Sequence, residues 1–211
     1  MSYSQIGQDV YYIENISKHK KGGIFLDIGA NDGIYTSNTA KLEFEYGWTG
    51  ICIEANADLI EDLINNRPKS KIINSAVWSE KTNLTFEIPN SNFKNIKGNL
   101  LSRIKDLPGN ENHFKTHFKD DVKKVVVSAE TVTDIVKKTI GLPCVIDYMS
   151  LDIEGAELEA LKGIDFTNID IRFMTIEHGD REGYINQLHD FLKQHGYKIH
   201  RINQWDVEFE K

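Results

Sequence analysis

The stretch Phe25-Leu26-Asp27-Ile28-Gly29-Ala30-Asn31-Asp32-Gly33 decides the fold of this 211-residue chain. Gly22 and Gly23 open a short apolar strand, residues 24–28, which runs directly into a glycine turn with a helix expected beyond it. A turn of this kind after a first strand lets a ligand approach the backbone closely, because glycine adopts conformations closed to other residues. The spacing discriminates between ligands. A dinucleotide fingerprint starting at Gly29 needs glycine at positions 31 and 34, and this chain has Asn31 and Ile34. Pyrophosphate is therefore not the natural occupant.

Outward from the turn, strands and helices alternate. Residues 50–54 read as a second strand, followed by Leu59, Ile60, Leu63 and Ile64 on one face of a helix that Pro68 helps to end. Further strands are expected at residues 71–77, 84–88, 125–127, 145–152 and 171–177, with helices near residues 132–139, 155–162 and 184–192 and one or two closing strands over 197–209. Ile6, Val10 and Ile13 place an amphipathic helix over residues 4–16, within an N-terminal helical cap of residues 1–20. This order predicts an α/β, Rossmann-like fold: a mainly parallel sheet with helices on both faces and an antiparallel C-terminal strand. A single domain over residues 1–211 is expected, with the polar stretch 89–124 as a lid or insertion, since it exceeds the usual length of a structureless loop.

Composition narrows the partners. The formal charge of −7 lacks the basic footprint of a nucleic-acid-binding domain. The first residues do not read as a signal peptide and no apolar run is long enough for a membrane span, so a cytoplasmic protein is expected. Cys52 and Cys144 sit in apolar stretches and read as small buried hydrophobes.

The acidic residues at the first two strand ends point to a nucleoside without a ribose phosphate. S-Adenosyl-L-methionine carries a cationic ammonium that Asp27 would attract. Glu54, about 20 residues past the turn, is placed to accept two hydrogen bonds from ribose hydroxyls. Either carboxylate alone could instead cap a neighbouring helix.

Several segments, in order, resemble the FkbM-type methyltransferases: Ser4-Gln5-Ile6-Gly7-Gln8-Asp9, the turn at 25–33, Gly50-Ile51-Cys52-Ile53-Glu54-Ala55-Asn56, Asn74-Ser75-Ala76-Val77, and Ser150-Leu151-Asp152-Ile153-Glu154-Gly155-Ala156-Glu157. The last is the most specific, and Ala57 departs mildly from a position that is often proline. The resemblance implies that the Rossmann-like fold is of the class I methyltransferase kind, and it implies O-methylation of a hydroxyl on a sugar, glycan or similar polyhydroxylated small molecule. It implies a cofactor site formed by Asp27, Gly29, Asn31, Gly33, Glu54, Ala55, Ala76, Val77 and Asp152.

Methyl transfer to oxygen needs an aligned acceptor and a base. Asp152, at the end of the fourth core strand, and Glu177 with His178, at the end of the fifth, are the catalytic candidates. His178 is the candidate base. Asp152 and Glu177 either orient it or hold a divalent cation such as Mg²⁺, by analogy with catechol-type O-methyltransferases; the metal-free form is favoured. Glu157 reads as a helix-start acid, whereas Glu154 sits in the turn beside the expected site. His113 and His117 have a ligand-like spacing but read as surface residues, and Ser102 and Arg103 are candidates for acceptor contact. The rival readings are a nicotinamide-dependent oxidoreductase and a methyltransferase-like binding module without turnover.

Overall fold

A computed structural model describes residues 1–90, 102–105, 107, 121–179 and 181–211. Its strands are β1 (Ile24–Ile28), β2 (Thr49–Glu54), β3 (Lys71–Asn74), β4 (Ala76–Val77), β5 (Thr82–Pro89), β6 (Arg103–Ile104), β7 (Val122–Glu130), β8 (Cys144–Ile146), β9 (Tyr148–Leu151), β10 (Ile169–Ile171), β11 (Phe173–Glu177), β12 (Lys198–Ile202) and β13 (Asp206–Glu210). The α-helices are α1 (Gln8–Tyr11), α2 (Ala40–Tyr46), α3 (Ile60–Asn66), α4 (Val132–Thr139), α5 (Glu157–Lys162) and α6 (Tyr184–Leu192).

Seven strands form the main sheet in the order β12-β13-β11-β9-β1-β2-β3. The pairs from β11 through β9, β1 and β2 to β3 are parallel, and β13 runs antiparallel to both neighbours. The expected fold class, with its antiparallel C-terminal strand, is the one observed. Chain order reverses between β1 and β9, the switch point where ligands of such sheets bind beyond the strands' carboxyl ends.

The central strands are apolar on both faces, as parallel strands covered by helices must be. Leu26, Ile28, Ile51, Ile53, Met149 and Leu151 pack on one side with residues of α4, α5 and α6. Phe25, Cys52, Tyr148 and Phe173 pack on the other with Tyr12, Leu42, Trp48 and Leu63. Local capping agrees with this layering. The Thr131 side chain accepts the Asp134 N–H at the start of α4, and Gly47 ends α2 in the left-handed region.

The structure departs from the sequence reading in five places. The strand expected over 71–77 divides into β3, at the edge of the main sheet, and β4, in a second sheet. The N-terminal helix begins only after Gly7, at φ 88°, and passes from α1 into a π-helical turn, Tyr12–Ile16; Ile6 is left exposed. No helix follows Gly33 directly, and residues 34–39 form an irregular loop before α2. The strand expected over 145–152 is two strands, with β8 paired to β10 in a sheet of their own. The strands at 84–88 and 125–127 belong to a separate four-stranded sheet, β4-β7-β5-β6, in which β5 and β7 pair from Thr82↔Ala129 to Pro89↔Val122. The stretch 89–124 is thus flanked by one long hairpin. Residues 91–101, 106 and 108–120, with His113 and His117, lie outside the described residues.

A buried ionic cluster fixes the loop between β1 and α2. Arg67, fully buried at the end of α3, pairs with Glu43 at 2.9 Å and with Asp27 at 3.5 Å. It also donates to the carbonyl of Gly33 and the hydroxyl of Thr39, and lies over the ring of Phe25. Removing one partner of a buried pair leaves an uncompensated charge. Arg67→Met is therefore expected to destabilise the protein by about 3–5 kcal/mol in urea unfolding, and a loss below about 1 kcal/mol would contradict the assignment.

Candidate active site

The carboxyl ends of β1, β2, β9 and β11 open into a cleft of about 1220 Å³ including its mouth. Gly29 is where the backbones come closest. It has φ 85°, and a Cβ there would lie 1.7 Å from the carbonyl oxygen of Asp152, so no other residue fits without moving β9. Its N–H and that of Ala30 both donate to the Ile53 carbonyl, which ties the turn to β2. Gly33 has a different role. A Cβ there would strike the side chains of Arg67 and Leu63, so this glycine admits packing behind the turn. Among the residues the sequence points to for a cofactor, Gly33 alone does not line the cleft.

Glu54, at the end of β2, holds the turn in place. One carboxylate oxygen accepts the Asn31 N–H at 2.9 Å and the other the Asn56 N–H at 2.7 Å. Asn31 takes the left-handed conformation at φ 54°, which asparagine tolerates. Burial pushes the Glu54 carboxyl above its usual range, against those two N–H groups. Asp27 accepts the Thr39 hydroxyl at 2.5 Å and faces Arg67. Burial raises its proton affinity and Arg67 opposes that. Its charge is thus partly committed to the protein, a partnership that the sequence reading did not contain.

Asp152 and Glu177 lie close together across the ends of β9 and β11, and the charge of Asp152 is one of the causes that make Glu177 hard to ionise. Both proton affinities are raised. For Asp152, which stays accessible from the cleft, the causes are desolvation by the cleft walls and then the charges of Glu154 and Glu157, and for Glu177 desolvation and then Asp152. Glu154 also opens to the cleft, from a backbone at φ 55°, and enclosure with the nearby Glu157 pushes it up to about 7. Glu157 itself is fully buried. It accepts the N–H groups of Ile153 and Gly155, the Tyr184 hydroxyl and Arg181, so it anchors the turn from behind.

His178 is placed differently from the sequence expectation. It is buried and does not line the cleft; its N–H donates to the Trp205 carbonyl and its ring lies 3.3 Å from the Asn203 carbonyl. Glu177 closes β11 at the cleft, and His178, one residue beyond, is turned away from it. Asp152 and Glu177 also do not assemble with further ligands. Among the described residues, no group of three or more His, Cys, Asp or Glu is placed to hold a metal ion.

The sequence reading missed the loop residues Ser37 and Asn38, Ser150 on β9 and Phe86 on β5, all of which line the cleft. Ser150 stood in the quoted SLDIEGAE segment; the others carry no local signal. Ser102 and Ile104 reach the cleft from around β6, whereas Arg103 turns to Glu87 at 2.8 Å.

The residues present fit S-adenosylmethionine. Asp27, Glu54, Asp152, Glu154 and Glu177 line the cleft, and no Lys, Arg or His does so among the described residues, which suits a cationic ligand. The Asn38 amide nitrogen donates to Ser150, while its shielded oxygen has no partner among the described residues. A ligand donor would complete it.

Comparison with known proteins is consistent with this geometry. Among solved structures, the chain is similar to a methyltransferase FkbM from Methylobacillus flagellatus KT, with 13% identity and a TM-score of 0.59, covering 99% of this chain and 48% of that one. The chain thus spans about half the length of that protein. It is also similar to a TehB-like SAM-dependent methyltransferase from Corynebacterium glutamicum ATCC 13032, with 11% identity, a TM-score of 0.51 and coverage of 98% and 89%. A METTL16 methyltransferase domain gives 11% identity, a TM-score of 0.52 and coverage of 98% and 83%. No curated protein matches the chain. At these identities the likeness shows the fold, and the sequence itself supplies the family: residues 27–199 match the methyltransferase FkbM domain, and the chain belongs to that family of S-adenosylmethionine-dependent methyltransferases.

Proposed function

We propose that the protein transfers a methyl group from S-adenosylmethionine to a hydroxyl oxygen of a neutral, polyhydroxylated acceptor such as a sugar or glycan unit. The observation that carries this reading is that Asp152 and Glu177 stand side by side in the same cleft as Glu54. The cofactor supplies an electrophilic methyl group. Glu54 would hold its ribose, with Gly29, Asn31, Ala55, Ala76 and Val77 forming the adjoining wall.

Attack by oxygen releases a proton, and the carboxyl pair in the cleft would receive it. A carboxylate with raised proton affinity is a stronger base than an ordinary one and suits this task near neutral pH. His178 would act through packing behind Glu177, and the reaction would need no metal ion. An acidic lining disfavours phosphorylated or carboxylated acceptors, because like charges repel in an enclosed cleft. The Ser102 and Ser150 hydroxyls and the face of Phe86 suit hydroxyl groups and a ring.

Three measurements follow from this reading. Glu54→Gln should weaken calorimetric binding of S-adenosylhomocysteine by about tenfold or more, the scale of a hydrogen bond to a charged group, and unchanged affinity would remove Glu54 from the site. Glu177→Gln should lower turnover by about 10²- to 10⁴-fold, the range for losing a general base, with cofactor affinity retained. His178→Ala and treatment with EDTA should leave most turnover intact; the reverse pattern would restore the histidine-base or metal-assisted reading.

The pH dependence has a definite sign. The proton acceptor must be ionised, and its proton affinity is raised by enclosure and neighbouring acids. Turnover should therefore fall as pH drops below neutral, with its midpoint above the ordinary carboxylate range. A rate that stays flat down to that range would contradict the assignment.

A further inference from the structure

The segment Ser4-Gln5-Ile6-Gly7-Gln8-Asp9 precedes the part of the chain that matches the family, which begins at residue 27. It is nonetheless fastened to the site at several points. Asp9, fully buried, accepts the Tyr3 N–H at 2.8 Å and the Ser4 hydroxyl at 2.7 Å. Ser4 forms a parallel bridge with Thr36 in the loop that borders the cleft. On the other side of Gln5, the Ile6 N–H donates to the Gln8 side chain, whose amide donates to Asp206 at 2.6 Å. Asp206 is the register partner of Glu177, so the segment lies across the strand ends.

Both neighbours of Gln5 are thus fixed, while Gln5 itself lines the cleft with an exposed side chain. Its amide has no hydrogen-bond partner among the described residues. Thr36, the other half of the bridge, also lines the cleft and is held at φ 52° despite its branched Cβ. Strain of this kind is kept where surrounding contacts impose it, and such positions cluster at ligand sites.

The cofactor poses a chemical problem that these residues answer. Its methionyl end carries a carboxylate, which must enter a cleft lined by five carboxyl groups and, among the described residues, by no cation. Only neutral donors can receive it. Polar donors near Asp27 are already engaged: the Asn38 amide nitrogen donates to Ser150 and the Thr39 hydroxyl to Asp27, while the Ser37 oxygen is held in place by accepting the N–H groups of Thr39 and Ala40.

We infer that the Gln5 side-chain amide, held over the cleft by the Ser4–Thr36 bridge and the Asp9 hydrogen bonds, is the donor that receives the methionyl carboxylate of the cofactor. This rests on the reading of the cleft as the S-adenosylmethionine site. A rigid neutral amide provides hydrogen bonds at low ordering cost, without adding a cation that would compete for the surrounding acids. Asp9 is then a positioning residue, acting through Ser4.

Calorimetry on the full chain tests the assignment with two ligands, S-adenosylhomocysteine and its decarboxylated analogue, which keeps the nucleoside and ammonium but lacks the carboxylate. Gln5→Ala should lose about tenfold or more in affinity for S-adenosylhomocysteine and little for the analogue. Gln5→Glu, similar in shape but anionic, should lose more for the first ligand and nothing for the second. Because Gln5 is exposed, both variants should keep the wild-type Tm. Equal losses for the two ligands, or no loss for S-adenosylhomocysteine, would overturn the role of Gln5. Wild-type protein that binds neither ligand would overturn the reading of the cleft as well.

Discussion

Gly29 packs so tightly against the carbonyl of Asp152 that there is no room for a single methyl group. That contact brings β1 and β9 together where the strand order reverses, and everything at the site is spaced from it. With the Gly29 and Ala30 N–H groups on Ile53 and Glu54 gripping Asn31, the turn is tied on both sides, to β2 and to β9. The cleft is therefore held by backbone geometry before any side chain contributes. Mobility in its binding groups would cost affinity, and this construction leaves little of it.

Charge is the second constraint. Carboxyl groups gathered at the strand ends repel one another, and their enclosure makes each harder to ionise. The protein meets this in two ways. Beneath the loop, Arg67 neutralises part of the Asp27 and Glu43 charge, and behind the turn Arg181 pairs with Glu157. At the open face, the raised proton affinities of Asp152 and Glu177 favour keeping a proton there. A cationic ligand would relieve the remaining repulsion, which links cofactor affinity and the protonation state of the same groups.

The sequence made the scaffold readable where one local pattern carried the information. The apolar runs of β1, β2, β9 and β11 and the punctuation at Gly22, Gly23, Gly29 and Pro68 needed no tertiary knowledge, and the acids at residues 27, 54, 152 and 177 could be placed at strand ends. What stayed hidden depends on contacts between distant residues. Arg67 lies 24 residues from Glu43 in the hydrogen bond they form, with no periodicity linking them. Gly33 was read as an approach point for ligand, yet the space it leaves is filled by Arg67 and Leu63. His178 was grouped with Glu177 because strand ends are legible and facing directions one residue beyond them are not. Gln5 belonged to a helical pattern whose first turn is broken at Gly7, and the break is what sends its side chain over the cleft.

The most direct measurement is a crystal structure of the protein with S-adenosylhomocysteine. The account predicts the ribose hydroxyls on the Glu54 carboxylate, the sulfur directed toward Asp152 and Glu177, and the amino-acid end beneath Gln5. A ligand lying elsewhere, or one whose ribose makes no contact with Glu54, would contradict it.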